Sequence, residues 1–351
     1  MKFCLSLILA FTCSPMTRSD DVDVVPIGWG VVGDGHIQLA RIIETEKARY
    51  LFFSLGKEIH FRVGNPIDGA WLYSDPKFAI APEYSNVTAS DHVRCEYPSI
   101  VEGRFGYRFG KAPSRTFDYL MSYSGFDGRV WRTMFAVSSS LSGPWLKIGT
   151  LLQTHLEENS YPVQCSMVSE RGGLVQLFFV HQSDGLRSTV RCRAYLSNLA
   201  DPLFHPLEPI CFSGMNTADG GSEPFAPAFA DIAWGPMRNS YLMVRNVSET
   251  RFRPSGVISK YFGLDRIPTA KIVDQDASWE TLRTLDGSRH NDTFIGMCGF
   301  VRDTTGQAVL DGKGNLQVLV TFQRDVQGRP DVKSGRIVEY RVPFEPSILL
   351  D

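Results

Sequence analysis

The sequence of 351 residues carries 36 Lys and Arg against 38 Asp and Glu, a formal net charge of -2 at pH 7, and is 43% hydrophobic. Such a composition can build a sizeable core without covalent staples. It offers no basic surface of the kind that binds a polyanion, so nucleic acid is excluded as an expected partner.

Residues 1–19 read as a secretory signal peptide. Lys2 supplies the positive end, Phe3 to Phe11 the apolar stretch, and Thr12, Ser14, Thr17 and Ser19 the small residues near a cleavage point. The apolar run is shorter than the roughly 20 residues a membrane-spanning helix needs. No later segment reads as transmembrane. Ala10-Phe11-Thr12 before Cys13 fits a lipobox poorly, so a secreted or periplasmic protein is expected over a lipid-anchored one. Residues 20–351 are then expected to form one domain.

Cys95, Cys165, Cys192, Cys211 and Cys298 follow the signal, widely spaced and with no C-x-x-C pair. That pattern predicts buried cysteines acting as small hydrophobes rather than a disulfide framework or a zinc site.

The rest of the chain repeats one order of short strands. The first unit runs His36 to Ile43, Tyr50 to Ser54 and Ile59 to Val63, and reaches Trp71. The second runs Tyr97 to Val101, Tyr119 to Ser124, a turn at Gly125 to Gly128, and Trp131 to Ser138, closing at Gly143-Pro144-Trp145. The third comprises Tyr161 to Val168, Leu177 to Val180 and Thr189 to Leu196. The fourth comprises Phe225 to Ala233, Tyr241 to Val244 and Gly256 to Phe262, before Trp279. Thr293 to Val301, Leu316 to Phe322 and Gly335 to Val342 make the fifth.

Each run is β-branched and aromatic, bounded by Gly, Pro, Asn or Asp, and too short for a globular helix. One such unit cannot bury both its faces, so copies must pack side by side. The fold class predicted is all-β, a five-bladed β-propeller, ahead of a β-sandwich. The stretch Val22 to Val32 is expected to add the outer strand of the last unit.

In that architecture the first strands of all units line the axis, and their starts meet at one mouth. Asp34, Glu96, Glu158 to Ser160, Glu223, His290 and Asp292 hold those positions. Two carboxyl groups facing each other across a sugar are what glycoside hydrolysis requires. Asp34 is the candidate base or nucleophile, and Glu96 and Glu223 compete for the acid. Acidic residues beside Gly or Pro also cap turns, which explains any one of them alone. Asp127 and Arg129 sit in an Asp-Gly hairpin turn, where structure alone accounts for them, although both are candidates for substrate contact. Tyr97, Tyr161 and Phe225, with Asp292, are the further candidates for binding a sugar. His290 is the candidate metal or water ligand, or simply a hydrogen-bonded histidine at a strand entrance.

Three stretches carry a family resemblance. Tyr119 to Arg129 (YLMSYSGFDGR) with Phe135 to Trp145 (FAVSSSLSGPW) is similar to the second-blade strands of family 43 glycoside hydrolases and the related family 32, 62 and 130 enzymes. Asp34-Gly35-His36-Ile37 resembles the Asp-Pro-x-Val stretch that carries their base. Arg289-His290-Asn291 resembles a last-blade Gly-His-Asn run, where the histidine sits by an axial calcium or water. The resemblance implies an exported hydrolase of glycosidic bonds with a carbohydrate substrate, and calcium at the axis as the one cofactor to consider. The sequence departs from that pattern in three places. Pro is absent after Asp34, Ser99 stands where a second-blade carboxylate is expected, and Ser160-Tyr161-Pro162 replaces the third-blade Glu-Gly-Pro. Glu96-Tyr97-Pro98 has the acid's Glu-x-Pro pattern one unit early. The alternative is a carbohydrate-binding or scaffold propeller that has kept the fold and lost the chemistry.

Overall fold

A computed structural model describes residues 23–26, 37–67, 70–152, 163–170, 173–183, 186–222, 230–248, 259–286, 293–326 and 329–345. Strand β1 (Asp23–Pro26) comes first in the chain but belongs to the last sheet unit. The first unit is β2 (Ile37–Glu44), β3 (Arg49–Leu55) and β4 (Glu58–Ile67), with β5 (Ala70–Tyr73) and β6 (Lys77–Ile80) both paired to β4. The second is β7 (Arg94–Tyr107), β8 (Arg115–Phe126), β9 (Trp131–Ser138) and β10 (Leu146–Gly149). The third is β11 (Val163–Ser169), β12 (Leu174–Ser183) and β13 (Leu186–Tyr195), edged by β14 (Leu203–Phe204) and β15 (Glu208–Pro209). The fourth is β16 (Ala230–Trp234), β17 (Ser240–Val247), β18 (Tyr261–Pro268) and β19 (Glu280–Asp286). Finally come β20 (Thr293–Arg302), β21 (Asn315–Val326) and β22 (Arg329–Pro343), whose free edge β1 covers.

Within each unit neighbouring strands pair antiparallel, as short hairpin-linked strands must. The first strands of successive units touch in cyclic order: β2 with β7, β7 with β11, β11 with β16, β16 with β20, and β20 again with β2. The last of these contacts is close enough to become a short parallel pairing, Ile42 with Val301 and Ile43 with Arg302. Gly299 permits the approach, since a Cβ there would lie 2.6 Å from the Ala40 carbonyl oxygen. The result is an all-β, mostly antiparallel, β-propeller-like architecture.

Hydrophobic burial explains the arrangement, because each apolar cluster is shared by two neighbouring units. Phe52 and Phe61 pack with Met121 and Trp145 between the first and second units. Leu120 and Phe135 meet Leu177 and Phe179 between the second and third, and Phe178 meets Tyr241 and Ile232 between the third and fourth. Leu242 and Leu264 meet Phe300 and Val318 next, and Val301 and Leu319 meet Leu51 and Phe53 at the seam. Removing one unit would expose two such faces at roughly 25 cal/mol per Å² of apolar surface.

Main-chain groups at the axis cannot all pair along ladders, and side chains of adjacent units satisfy them in a repeated way. The Met167 N–H donates to Ser99 Oγ at 3.0 Å, Ile232 N–H to Ser166 Oγ at 3.3 Å, and Phe300 N–H to Asp231 Oδ2 at 3.0 Å. Ser99, where the family resemblance expects a carboxylate, is thus a link between units.

Several strand expectations need correction. The third strand of the fourth unit is described as Tyr261–Pro268 and runs past the expected end at Phe262, while the expected start at Gly256 lies outside the described residues. Within this strand Asp265 is neutralised by Arg245 at 2.7 Å with both side chains fully buried. The turn placed at Gly125 to Gly128 falls later, because β8 continues to Phe126. The cysteines are as expected: all five are buried and unpaired. No helix among the described residues is long and apolar enough to cross a membrane. The proposed signal, residues 1–19, lies outside the described residues.

Candidate active site

Glu96 stands near the start of β7, opposite Ser124 of β8, at the end of the axis where the first strands begin. Its side chain is 1% exposed. The register slips between Glu96 and Ser99, so that Tyr97 and Pro98 bulge out of the ladder. Tyr97 adopts φ +60°, a left-handed conformation that an aromatic residue takes only when its surroundings enforce it. Two groups from the first unit grip the bulge. The Tyr97 N–H donates to Ser54 Oγ at 3.0 Å, and Arg41 Nη1 donates to the Pro98 carbonyl at 2.7 Å. β11 repeats the device: Gln164 has φ +58°, and its N–H donates to Ser124 Oγ at 3.2 Å.

The Glu96 carboxyl has one cation beside it. Arg94 Nη1 lies 3.1 Å from Oε1, but off hydrogen-bonding direction, so neither carboxylate oxygen has a well-aligned donor among the described residues. Burial dominates and pushes the Glu96 pKa up to about 7, with the Arg94 charge opposing it. A carboxyl group that holds its proton near neutrality can donate it to a leaving oxygen. The Tyr97 hydroxyl is also pushed up, first by burial and then by the charge of Glu96.

Three aromatic rings stand at the same end of the second unit. Phe126 stacks on Trp131 at 4.8 Å between centroids, and Tyr97 lies 6.1 Å from Trp131. All three are half-buried, which suits a platform for a sugar ring. Trp131, Phe126 and Arg94 were not candidates from the sequence. The cross-strand pairing of Phe126 with Trp131 beside the Asp-Gly turn is the signal that would have found them. Asp127 serves that turn: Oδ1 accepts from the Arg129 and Val130 N–H groups, each at 2.8 Å, and Oδ2 pairs with Arg132. Arg129 is exposed at the tip.

Behind Glu96 sits a second buried group. Asp91 Oδ2 accepts from the Tyr123 hydroxyl at 2.8 Å and pairs with Lys147 at 2.7 Å, tying the loop before β7 to the sheet. Neighbouring Cys95, whose thiol is pushed up by burial, donates to the same oxygen at 3.5 Å.

Deeper along the axis lies a cluster that sequence reasoning missed. Asp231 of β16, fully buried, meets Arg41 of β2 at 2.7 Å and Arg302 of β20, while Ser166 of β11 donates to it at 2.8 Å. Burial would raise the Asp231 pKa, but Arg302 and Arg41 hold it below the ordinary carboxylate value. The cluster was legible only as single charges inside apolar runs: Arg41 in LARII, Asp231 in ADIAW and Arg302 in GFVR.

Asp34, Glu223, Tyr161, Phe225, Asp292 and His290 lie outside the described residues, so Glu96, Tyr97, Asp127 and Arg129 are the sequence candidates whose places are described. Of these, Glu96 and Tyr97 share one corner, with the Asp127–Arg129 turn at its rim. No group of three His, Cys, Asp or Glu among the described residues is arranged to hold a metal. A cleft of about 1080 Å³ lies at the opposite end of the strands between Glu102, Arg104, Glu170, Arg238 and Thr305. It is distant from Glu96 along β7 and has no part in the site.

Comparison with family models and with curated proteins finds no match. Solved structures do match. Zg3597, a family 117 glycoside hydrolase from the marine bacterium Zobellia galactanivorans, is similar at a TM-score of 0.55 and 11% identity, over 91% of this chain and 89% of that one. A thermostable family-43 glycoside hydrolase gives 0.53 at 14% identity, covering 90% and 92%. The catalytic domain of a family 62 α-L-arabinofuranosidase from Coprinopsis cinerea gives 0.52 at 13%, covering 90% and 93%. The chain therefore shares the fold of these glycoside hydrolases of families 43, 62 and 117, at identities too low to single out one of them.

Proposed function

We propose that the protein is an exported, five-bladed propeller hydrolase that cleaves glycosidic bonds of an oligo- or polysaccharide with a pair of carboxyl groups at the mouth of its axis. The observation that carries this reading is Glu96: a carboxyl buried to 1% exposure at a first-strand entrance, protonated up to about pH 7, behind a strained Tyr97. In this reading Glu96 gives its proton to the leaving glycosidic oxygen. A second carboxylate, Asp34 or Glu223, acts on the opposite face of the sugar, either activating water or attacking the anomeric carbon. The ring of first-strand contacts and the shared apolar clusters support five blades. Tyr97, Trp131 and Phe126 supply a stacking surface, and Asp127 with Arg129 the adjoining rim.

A non-catalytic carbohydrate-binding propeller is the second reading. One observation favours it: Glu96 is sealed by its own surroundings, so contact with a glycosidic oxygen requires its cover to move.

Separate Glu96→Gln, Asp34→Asn and Glu223→Gln variants, assayed on aryl glycosides and polysaccharides, decide between them. Loss of about 10²–10⁴-fold in kcat for Glu96→Gln is expected of a general acid. Glycan binding with no turnover by the unaltered protein across the panel would leave the binding reading standing.

A further inference from the structure

An axial calcium needs about six to eight oxygen ligands, drawn from carboxylates and carbonyls that converge on one point. Oxygens of that kind do converge on the described part of this axis, but guanidinium N–H groups already occupy them. Asp231 Oδ1 accepts from Ser166 Oγ at 2.8 Å and from Arg302 Nη2, with Arg41 Nη2 ion-paired to it at 2.7 Å while donating to Ser166 Oγ at 2.9 Å, and Oδ2 accepts from the Phe300 N–H at 3.0 Å. The Pro98 and Cys165 carbonyls accept from Arg41 Nη1 at 2.7 and 3.2 Å. Those of Met167 and Ile232 accept from Arg302 at 3.1 and 2.7 Å. The Nε atoms of both arginines are buried with no acceptor among the described residues, adding N–H groups rather than oxygens.

Charge argues the same way. Arg41, Arg302 and Asp231 are 1%, 1% and 0% exposed and sum to one net positive charge. A divalent cation entering there would displace hydrogen bonds and be repelled in a medium that screens poorly. These residues do not fit a divalent cation at this level of the axis; His290, beside which the resemblance places calcium, lies outside the described residues.

The cluster also does the mechanical work of a central ion. Arg41 reaches from β2 to β7, β11 and β16, and Arg302 from β20 to β11 and β16. All five axial strands are therefore joined through two guanidinium groups and one carboxylate. We infer that the Arg41–Asp231–Arg302 cluster closes the axis in place of a divalent cation, so that the fold holds together without metal. This inference is independent of catalysis, and a protein with no hydrolase activity can pass its test.

The test is the thermal unfolding midpoint of the full chain before and after dialysis against EDTA, then with millimolar calcium or magnesium chloride, together with elemental analysis of the purified protein. A metal bound only by the folded state must raise the midpoint by mass action. The expected result is a midpoint unchanged by chelation or re-addition and substoichiometric metal. A fall of several degrees with EDTA that calcium reverses, or one equivalent of calcium in the purified protein, would overturn the inference. Arg302→Lys supplies the second arm, since it keeps the charge but cannot reach both the Met167 and Ile232 carbonyls. Its midpoint should drop while staying insensitive to chelator. A midpoint equal to the unaltered protein's would refute the cluster as the closure. A variant that fails to fold agrees with it, and the chelation arm then stands on its own.

Discussion

Glu96 and Asp231 are both carboxyl groups on axial strands, exposed to 1% and 0%, yet their acidities move in opposite directions. Asp231 accepts hydrogen bonds from the Arg302 guanidinium, a hydroxyl and a backbone N–H, has the Arg41 charge 2.7 Å away, and stays ionised. Glu96 has a single arginine at poor angle, itself 36% exposed, and it holds its proton up to about pH 7. Equal burial therefore tells nothing about role. The number and aim of the donors separate the group that binds the ring together from the group free to exchange a proton.

The largest break in that comparison is Asp231→Ala. It leaves two arginines buried without their partner, and stripping one side of a buried ionic cluster costs about 3–5 kcal/mol. Urea unfolding should show that loss at neutral pH, and a loss below 1 kcal/mol would contradict the role given to the cluster. The depressed pKa adds a sign. The stability due to Asp231 is present above the unfolded carboxylate pKa and is lost as pH falls through the folded value.

Glu96 should behave in the reverse way. Its unfolded pKa near 4.5 and folded pKa of about 7 mean that the unfolded chain ionises first as pH rises. Stability should therefore fall across that window, by an amount on the order of 3 kcal/mol, and level off above it. Glu96→Gln should flatten the slope and be more stable than the parent at pH 8. The same slope in both proteins would show that Glu96 is not the titrating group.

Ser54→Ala is expected to have a smaller effect. It deprives the Tyr97 N–H of its acceptor inside the fold, a loss of about 1–2 kcal/mol. Replacement by Thr, which restores a hydroxyl, should recover part of it in the same denaturation assay. Removing the cation with Arg94→Gln should move stability little but raise the Glu96 pKa further, because the Arg94 charge lowers it. Carboxyl-carbon NMR titration reads that shift, and a downward one would disprove the pairing.

The rim should matter least. Asp127→Ala removes two turn hydrogen bonds and one ion pair, for about 1 kcal/mol, whereas Arg129→Ala at the exposed tip should stay within about 0.5 kcal/mol. Melting curves of the two variants, taken side by side, test that ranking.

Local sequence was enough to show the repeat. Short β-branched and aromatic runs between Gly, Pro and Asp placed most of the strands, and Trp131–Ser138 was delimited without error. It also anticipated β1 on the edge of the last unit and the unpaired buried cysteines. Where it failed, long-range pairing had overruled local preference. The strand Tyr261–Pro268 contains a glycine and an ion-paired aspartate that no short window can tell from a loop. Glu96 was legible as a carboxylate at a strand entrance, but the state of its proton was not. That depends on how many donors other units aim at it, and those units are distant in sequence. The same holds for Arg41, Asp231 and Arg302, which sit 57 to 135 residues from several of their partners. The sequence by itself determined an all-β chain of repeated units whose apolar faces need neighbours. Closure of the axis and the opposite fates of two equally buried carboxyl groups came only with the tertiary structure, because both arise where strands from separate units converge.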